Sequence, residues 1–236
     1  MAALSGTAQS QATKAHDSGP RPGASAGGPI DNLTPGERKL FNDGQAIFAK
    51  TDTVAGNGLG PRMDLIDEFL SPLSNRRADE YGGTFDGRIR FALEVATAVR
   101  GAWPDSLPLF MRISAVDWVE DGWQIEDSVE LARRLQPLGV DLIDCSSGGI
   151  VPYAKVQIGP AYQTPFAERI RRETGILTGA VGMITEPDQA DGIIRGGQAD
   201  MVLLAREFLR DPYWPLHAAN ALGAAGAIPK QYGRAF

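Results

Sequence analysis

Three places in this 236-residue chain carry residue types suited to holding an anion: Arg112 in LPLFMRIS, the glycines of Gly179-Ala180-Val181-Gly182, and Arg206 after ADMVLLA. A guanidinium near the end of an otherwise apolar strand is costly unless something anionic or hydrogen-bonding meets it. Arg112 therefore either pairs with Asp117 or Asp144 or faces a ligand. The Gly179–Gly182 stretch either exposes backbone N–H groups to a phosphate or makes a tight turn in which glycine is only tolerated. Arg206 closes the next apolar run, so in a parallel sheet all three places converge on one rim.

The elements that must position them alternate regularly. Apolar residues at Ile89, Leu93, Ala96 and Val99 predict a helix over 88–100, and LPLFMRIS predicts a buried strand over 107–114. The same alternation continues: SVELARRLQPLG as helix, VDLIDCSS as strand, TPFAERIRRETG as helix, ILTGAVGMI as strand, EPDQADGIIRGG as helix, ADMVLLA as strand and DPYWPLHAANALG as a closing helix. Gly139, Gly175, Gly196 and Gly223 are the expected helix terminators. Apolar strands between amphipathic helices imply a parallel sheet covered on its faces. No strand is followed by Gly-x-Gly-x-x-Gly, which argues against an open dinucleotide-binding sheet, whereas glycine and arginine after the last two strands suit the phosphate site of a TIM barrel. About four strands make the predicted fold an α/β partial TIM barrel of C-terminal βα units.

The rest of the chain narrows the function classes. The first thirty residues are rich in Ala, Ser, Gly and Pro and predict a disordered leader, because they offer little to bury. A targeting peptide is the alternative there, but Pro20, Pro22 and Gly23 break any amphipathic helix. A short helix is expected over 35–49, capped by Thr34 with Pro35 first, and the expected division is a leader over 1–60 and a barrel segment over 61–236. A net charge of −6 provides no positive field for nucleic acid or anionic lipid, and no apolar run reaches a membrane span. The lone cysteine, Cys145, excludes an internal disulfide and a cysteine-built metal cluster, and a reducing, cytoplasmic setting is expected. His16 and His217 are the two histidines, and both lie in unpromising places for catalysis.

The segment FLSPLSNRRADEYGGTFDGRIRF, from Phe69 to Phe91, reads chemically as a polar loop leading into a helix. As a string it resembles a signature of the Old Yellow Enzyme family of flavin-dependent ene reductases and NAD(P)H:flavin oxidoreductases. The resemblance continues through MRISAVDW, GVDLIDCSSGG, AYQTPFAERIR, GAVGMI, REFLRDPYWPL and the tail KQYGRAF, and so covers residues 69–236.

What the resemblance implies is an FMN site at the mouth of a barrel, reduced by NADPH or NADH and passing hydride to an activated alkene. Carried over residue by residue, Arg112 faces the pyrimidine edge of the flavin, and Ser146 and Gly148 lie near the ribityl chain. Gly182 and Met183 match the first phosphate loop and Ala205 and Arg206 the second, although the family usually has Gly-Arg there. Arg234 matches an arginine that reaches a neighbouring subunit, which implies a homo-oligomer formed through the C-terminal tail. One departure is decisive for activity: where the family carries His-Ala-Ala-His-Gly-Tyr, this chain has Leu59-Gly60-Pro61-Arg62-Met63-Asp64. Asp64 and Asp67 remain as poor proton donors at neutral pH. The alternatives to a working oxidoreductase are a catalytically silent half barrel with weak flavin or phosphate affinity, and an assembly module pairing its strand edges with another chain.

Overall fold

A computed structural model of the chain describes residues 65–224 and Gln231. The expected leader, the helix over 35–49, the stretch Leu59–Asp64 and Arg234 lie outside the described residues. Contacts divide the chain into Met1–Arg62 and Met63–Phe236.

The second unit begins with helices α1 (Leu65–Leu70) and α2 (Phe85–Ala102). It continues with β1 (Phe110–Ser114), α3 (Ile125–Leu135), β2 (Leu142–Ser146), α4 (Thr164–Thr174) and β3 (Leu177–Val181). It closes with α5 (Pro187–Arg195), β4 (Met201–Leu203), α6 (Arg206–Arg210) and α7 (Trp214–Ala221). The four strands pair in chain order, all parallel. This is a partial TIM barrel of four βα units.

Alternation along each strand divides the sheet into two faces. On one face Met111, Ile113, Ile143, Cys145 and Ala180 are buried in a single apolar cluster. The helices close it with Ile89, Ala92 and Ala96 from α2, Val129, Ala132 and Leu135 from α3, Ala167 and Ile170 from α4, and Ile193 from α5. Full burial of each Ile or Leu contributes roughly 1.5–3 kcal/mol. Cys145 is part of this layer, and burial pushes its thiol up, so it stays protonated and unreactive. The other face carries Phe110, Arg112, Asp144, Leu177 and Met201, with Phe110 at 47%, Leu177 at 49% and Met201 at 38% exposure.

Three local expectations are corrected. The polar loop over 69–91 contains the end of α1, and α2 starts three residues early, at Phe85, because Thr84 caps it by accepting a hydrogen bond from the Gly87 N–H. The turn after α5 uses Gly197 (φ 69°) as its left-handed residue, whereas Gly196 keeps helical geometry (φ −72°). Arg206 opens a five-residue helix that the sequence pattern did not reveal.

Candidate flavin site at the strand ends

The family-like segment proves to be a bracket for β1. The Asn75 amide donates to the Phe69 and Tyr81 carbonyls, both at 2.7 Å, and Arg88 donates to the Leu70 carbonyl at 2.8 Å and the Gly83 carbonyl at 2.9 Å. Two buried acids then tie this bracket to the end of β1. Asp67 accepts from the Ser114 N–H at 2.9 Å. Asp117 accepts from the Ser71 hydroxyl at 2.6 Å and the Trp123 N–H at 2.7 Å.

Burial holds the Asp117 carboxyl above the usual carboxylate range despite those two hydrogen bonds. Folding therefore favours a proton here at any pH between the ordinary value, about 3.9, and the lifted one. The stability contributed by neutral Asp117 is complete below that window and is lost as pH rises through it. Asp117→Asn is accordingly expected to gain stability relative to the unsubstituted chain as pH rises above about 4, measured by denaturant melts at each pH; a difference that stays flat contradicts the assignment.

Arg112 lies in the middle row of the sheet rather than at its end, in register with Asp144 and Gly179. Of the two acids considered for it, Asp144 is the partner, at 2.7 Å. The pair is asymmetric: the arginine side chain is 51% exposed and the aspartate nearly buried. Burial raises the Asp144 carboxyl, with Arg112 opposing. The second oxygen, Oδ1, is buried without a hydrogen-bond partner among the described residues.

The loops leaving the strands are strained and joined. The non-glycine residues with positive φ among the described residues are Trp118 (60°), Ala161 (56°) and Met183 (52°), in the loops after β1, β2 and β3 respectively. Each such conformation costs roughly 1–3 kcal/mol and tends to persist where function requires it. A chain of hydrogen bonds runs from the loop after β1 through the loop after β2 to the last residue of β3. The Trp118 indole N–H donates to Ser147 Oγ at 2.9 Å, and the Ser147 hydroxyl donates to Gln163 Oε1 at 2.6 Å. The Gln163 amide in turn donates to the Val181 carbonyl at 3.0 Å, and Gln163 is almost fully buried. Ser114 and Gly148 add a fourth link, hydroxyl to carbonyl, at 3.0 Å.

That chain ends against Gly182 (φ 117°), where a Cβ would lie 2.8 Å from Gln163 Nε2 and 2.9 Å from the Tyr162 ring. Only glycine fits. Gln189 holds the next residue by donating to the Met183 carbonyl at 3.3 Å. The N–H groups of Gly182 and Met183 make no hydrogen bond among the described residues, and neither does the exposed guanidinium of Arg206. Ala205 is the exposed residue preceding α6. Because the strands are parallel, Ser146, Gly148, Gly182, Met183, Ala205 and Arg206 all lie toward the same end of the sheet, with Arg112 two residues below it.

Trp118, Ser147 and Gln163 were not singled out from sequence. A buried amide directly before a Thr-Pro helix start is their one visible signal. Among the described residues, no group of three or more His, Cys, Asp or Glu is placed to hold a metal, and no helix is long and apolar enough to cross a membrane.

Residues 45–224 match the family described as NADH:flavin oxidoreductase / NADH oxidase. The chain belongs to that family. A relative within its reach is an NADPH dehydrogenase from Geobacillus sp. (strain WCH70), 56% identical over 170 residues, which are 72% of this chain and 49% of the relative. Among solved structures, a 2-naphthoyl-CoA reductase in complex with 2-naphthoyl-CoA aligns with a TM-score of 0.61 and 27% identity, over 68% of this chain and 25% of that one. An old yellow enzyme homologue from Zymomonas mobilis shares the fold, with a TM-score of 0.54 at 21% identity over 71% of this chain and 46% of that one. This family member thus spans about half the length of the curated relatives it matches.

Proposed function

We propose that this half barrel is of the Old Yellow Enzyme type and binds FMN at the strand ends. The observation that carries this reading is the hydrogen-bonded loop cluster that ends at Gly182 and Met183, whose N–H groups, like the Arg206 guanidinium toward the same end of the sheet, make no hydrogen bond among the described residues. In this reading Gly182, Met183, Ala205 and Arg206 hold the phosphate, Ser146 and Gly148 border the ribityl chain, and Arg112 sets a positive charge beside the pyrimidine edge. When bound, FMN supplies hydride chemistry between NADPH or NADH and an acceptor, here an activated alkene. Arg112 supplies charge and hydrogen bonds and moves no proton, while the Trp118–Ser147–Gln163 chain keeps the phosphate loop in place. Asp144 holds Arg112 from the neighbouring strand.

A titration tests this. FMN is expected to bind at least tenfold more tightly than riboflavin, followed by quenching of flavin fluorescence, because only FMN carries the phosphate. Equal affinities overturn the phosphate assignment, and absence of binding by either overturns the flavin reading.

A second reading, flavin holding without alkene reduction, is favoured by the histidines: His217 lies on α7 with its Nδ1 2.6 Å from Asp211 and belongs to the surface there.

A further inference from the structure

Arg112 and Asp144 make an ion pair whose two members are held very differently. Parallel pairing sets them side by side in the middle row of the sheet, followed by Gly179 and Met201, so the row holds one cation, one anion and no other charge. Asp144 Oδ2 accepts from Arg112 Nη1 at 2.7 Å, and Oδ1 is buried with no hydrogen-bond partner among the described residues. The flank of Asp144 away from Arg112 is apolar: Gly179 has no side chain, and a Cβ there would collide with Leu203. Among the described residues, Arg112 alone therefore balances this carboxylate.

The guanidinium is tied at one corner only. Its side chain is 51% exposed against 11% for the aspartate. Nε and Nη2 make no hydrogen bond among the described residues. A cation paired on one side still attracts an anion on the other, but less strongly, because the partner carboxylate repels that anion from only slightly farther away. The offset is larger in a site with little water than at a surface.

We propose that Asp144 sets the reduction potential of the bound flavin by offsetting part of the charge that Arg112 presents to the ring. This assignment rests on the FMN reading, in which Arg112 stands beside the pyrimidine edge. A hydride taken from NADPH or NADH brings two electrons and one proton, so the reduced ring carries one more negative charge than the oxidised ring. Arg112 favours that anion, and the carboxylate one strand away disfavours it. Asp144 is thus a positioning residue with two separable parts. Its Oδ2 orients the guanidinium, and its charge tempers it.

The experiment is a reductive titration of the full chain, loaded with FMN or with riboflavin, against a dye of known potential. Asp144→Asn keeps an oxygen that accepts from Nη1 and removes the charge. It is expected to favour reduced over oxidised flavin by about tenfold or more, equivalent to a rise of about 30 mV for a two-electron couple. The rise is expected with both flavins, because it acts on the ring and is separate from the comparison of FMN with riboflavin. A purely structural role gives the opposite sign, since a guanidinium set loose attracts the reduced ring less. An unchanged or lowered potential overturns the proposal and leaves the FMN reading standing, whereas failure of the unsubstituted chain to bind either flavin overturns both. Should Asp144→Asn fail to fold, reciprocity decides in the unsubstituted chain: a group whose charge acts on the ring must respond to the charge of the ring. Reduction of the bound flavin is then expected to move the Asp144 carboxyl carbon resonance, and an unmoved resonance overturns the proposal.

Discussion

Purified chain supplied with FMN and NADPH is expected to reduce cyclohexenone at well under the ordinary enzyme rate of roughly 1 per second. In the family that the sequence resembles, a histidine pair and a tyrosine hold and protonate the acceptor, and residues 59–64 of this chain carry none of them. Loss of one positioned hydrogen-bond donor costs on the order of a hundredfold to a thousandfold in rate, and loss of the pair costs more. The three buried acids are occupied elsewhere: Asp67 and Asp117 hold the bracket around β1, and Asp144 is tied to Arg112. The measurement is anaerobic NADPH oxidation with and without the enone. Turnover at about 1 per second or faster would mean that residues outside the described region supply both an acid and a surface for the ring.

Gly182→Val is expected to cost about 2–4 kcal/mol and, with it, most of the flavin affinity. The backbone there has φ 117°, and a left-handed conformation costs a β-branched residue roughly 1–2 kcal/mol. Displacing Gln163, which the new Cβ would meet at 2.8 Å, also breaks its bond to the Val181 carbonyl, worth about 1 kcal/mol or more in a buried setting. For a unit of this size the thermal midpoint should fall by about 5–10 °C. Differential scanning calorimetry and an FMN titration check the two effects separately. A variant as stable as the original shows that the loop relaxes, whereas a stable variant that no longer distinguishes FMN from riboflavin shows that the loop binds the phosphate and carries little fold energy.

The fold was largely legible because hydrophobic period and glycine punctuation agree over residues 85–204. VDLIDCSS and ILTGAVGMI could be little else than buried strands between the charged, amphipathic helices that precede and follow them. The misses have local causes. α1 and α6 are six and five residues long, too short for a periodic signal, and α1 is fastened by the bonds around Asp67 and Asn75. Gly196 and Gly197 are adjacent, and which of the two turns left-handed is settled by the hydrogen bonds that their N–H groups make to Gly192 and Ile194. At the site, the charges and glycines were visible as types. The Trp118–Ser147–Gln163 chain was not, because it joins positions 118, 147 and 163 through side chains whose meeting depends on two loops folding together. The choice of Asp144 over Asp117 for Arg112 likewise follows from strand register, which one sequence does not display.

Cys145, protonated and sealed beneath the helices, has a practical consequence. The native sequence contains no other thiol, and this one offers a maleimide or a nitroxide reagent neither access nor a thiolate. The chain therefore already serves as a silent background for site-directed labelling. A cysteine installed at an exposed position such as Leu209 or Tyr153 becomes the sole reactive handle, and distances between two such spin labels can be read without first engineering a thiol away.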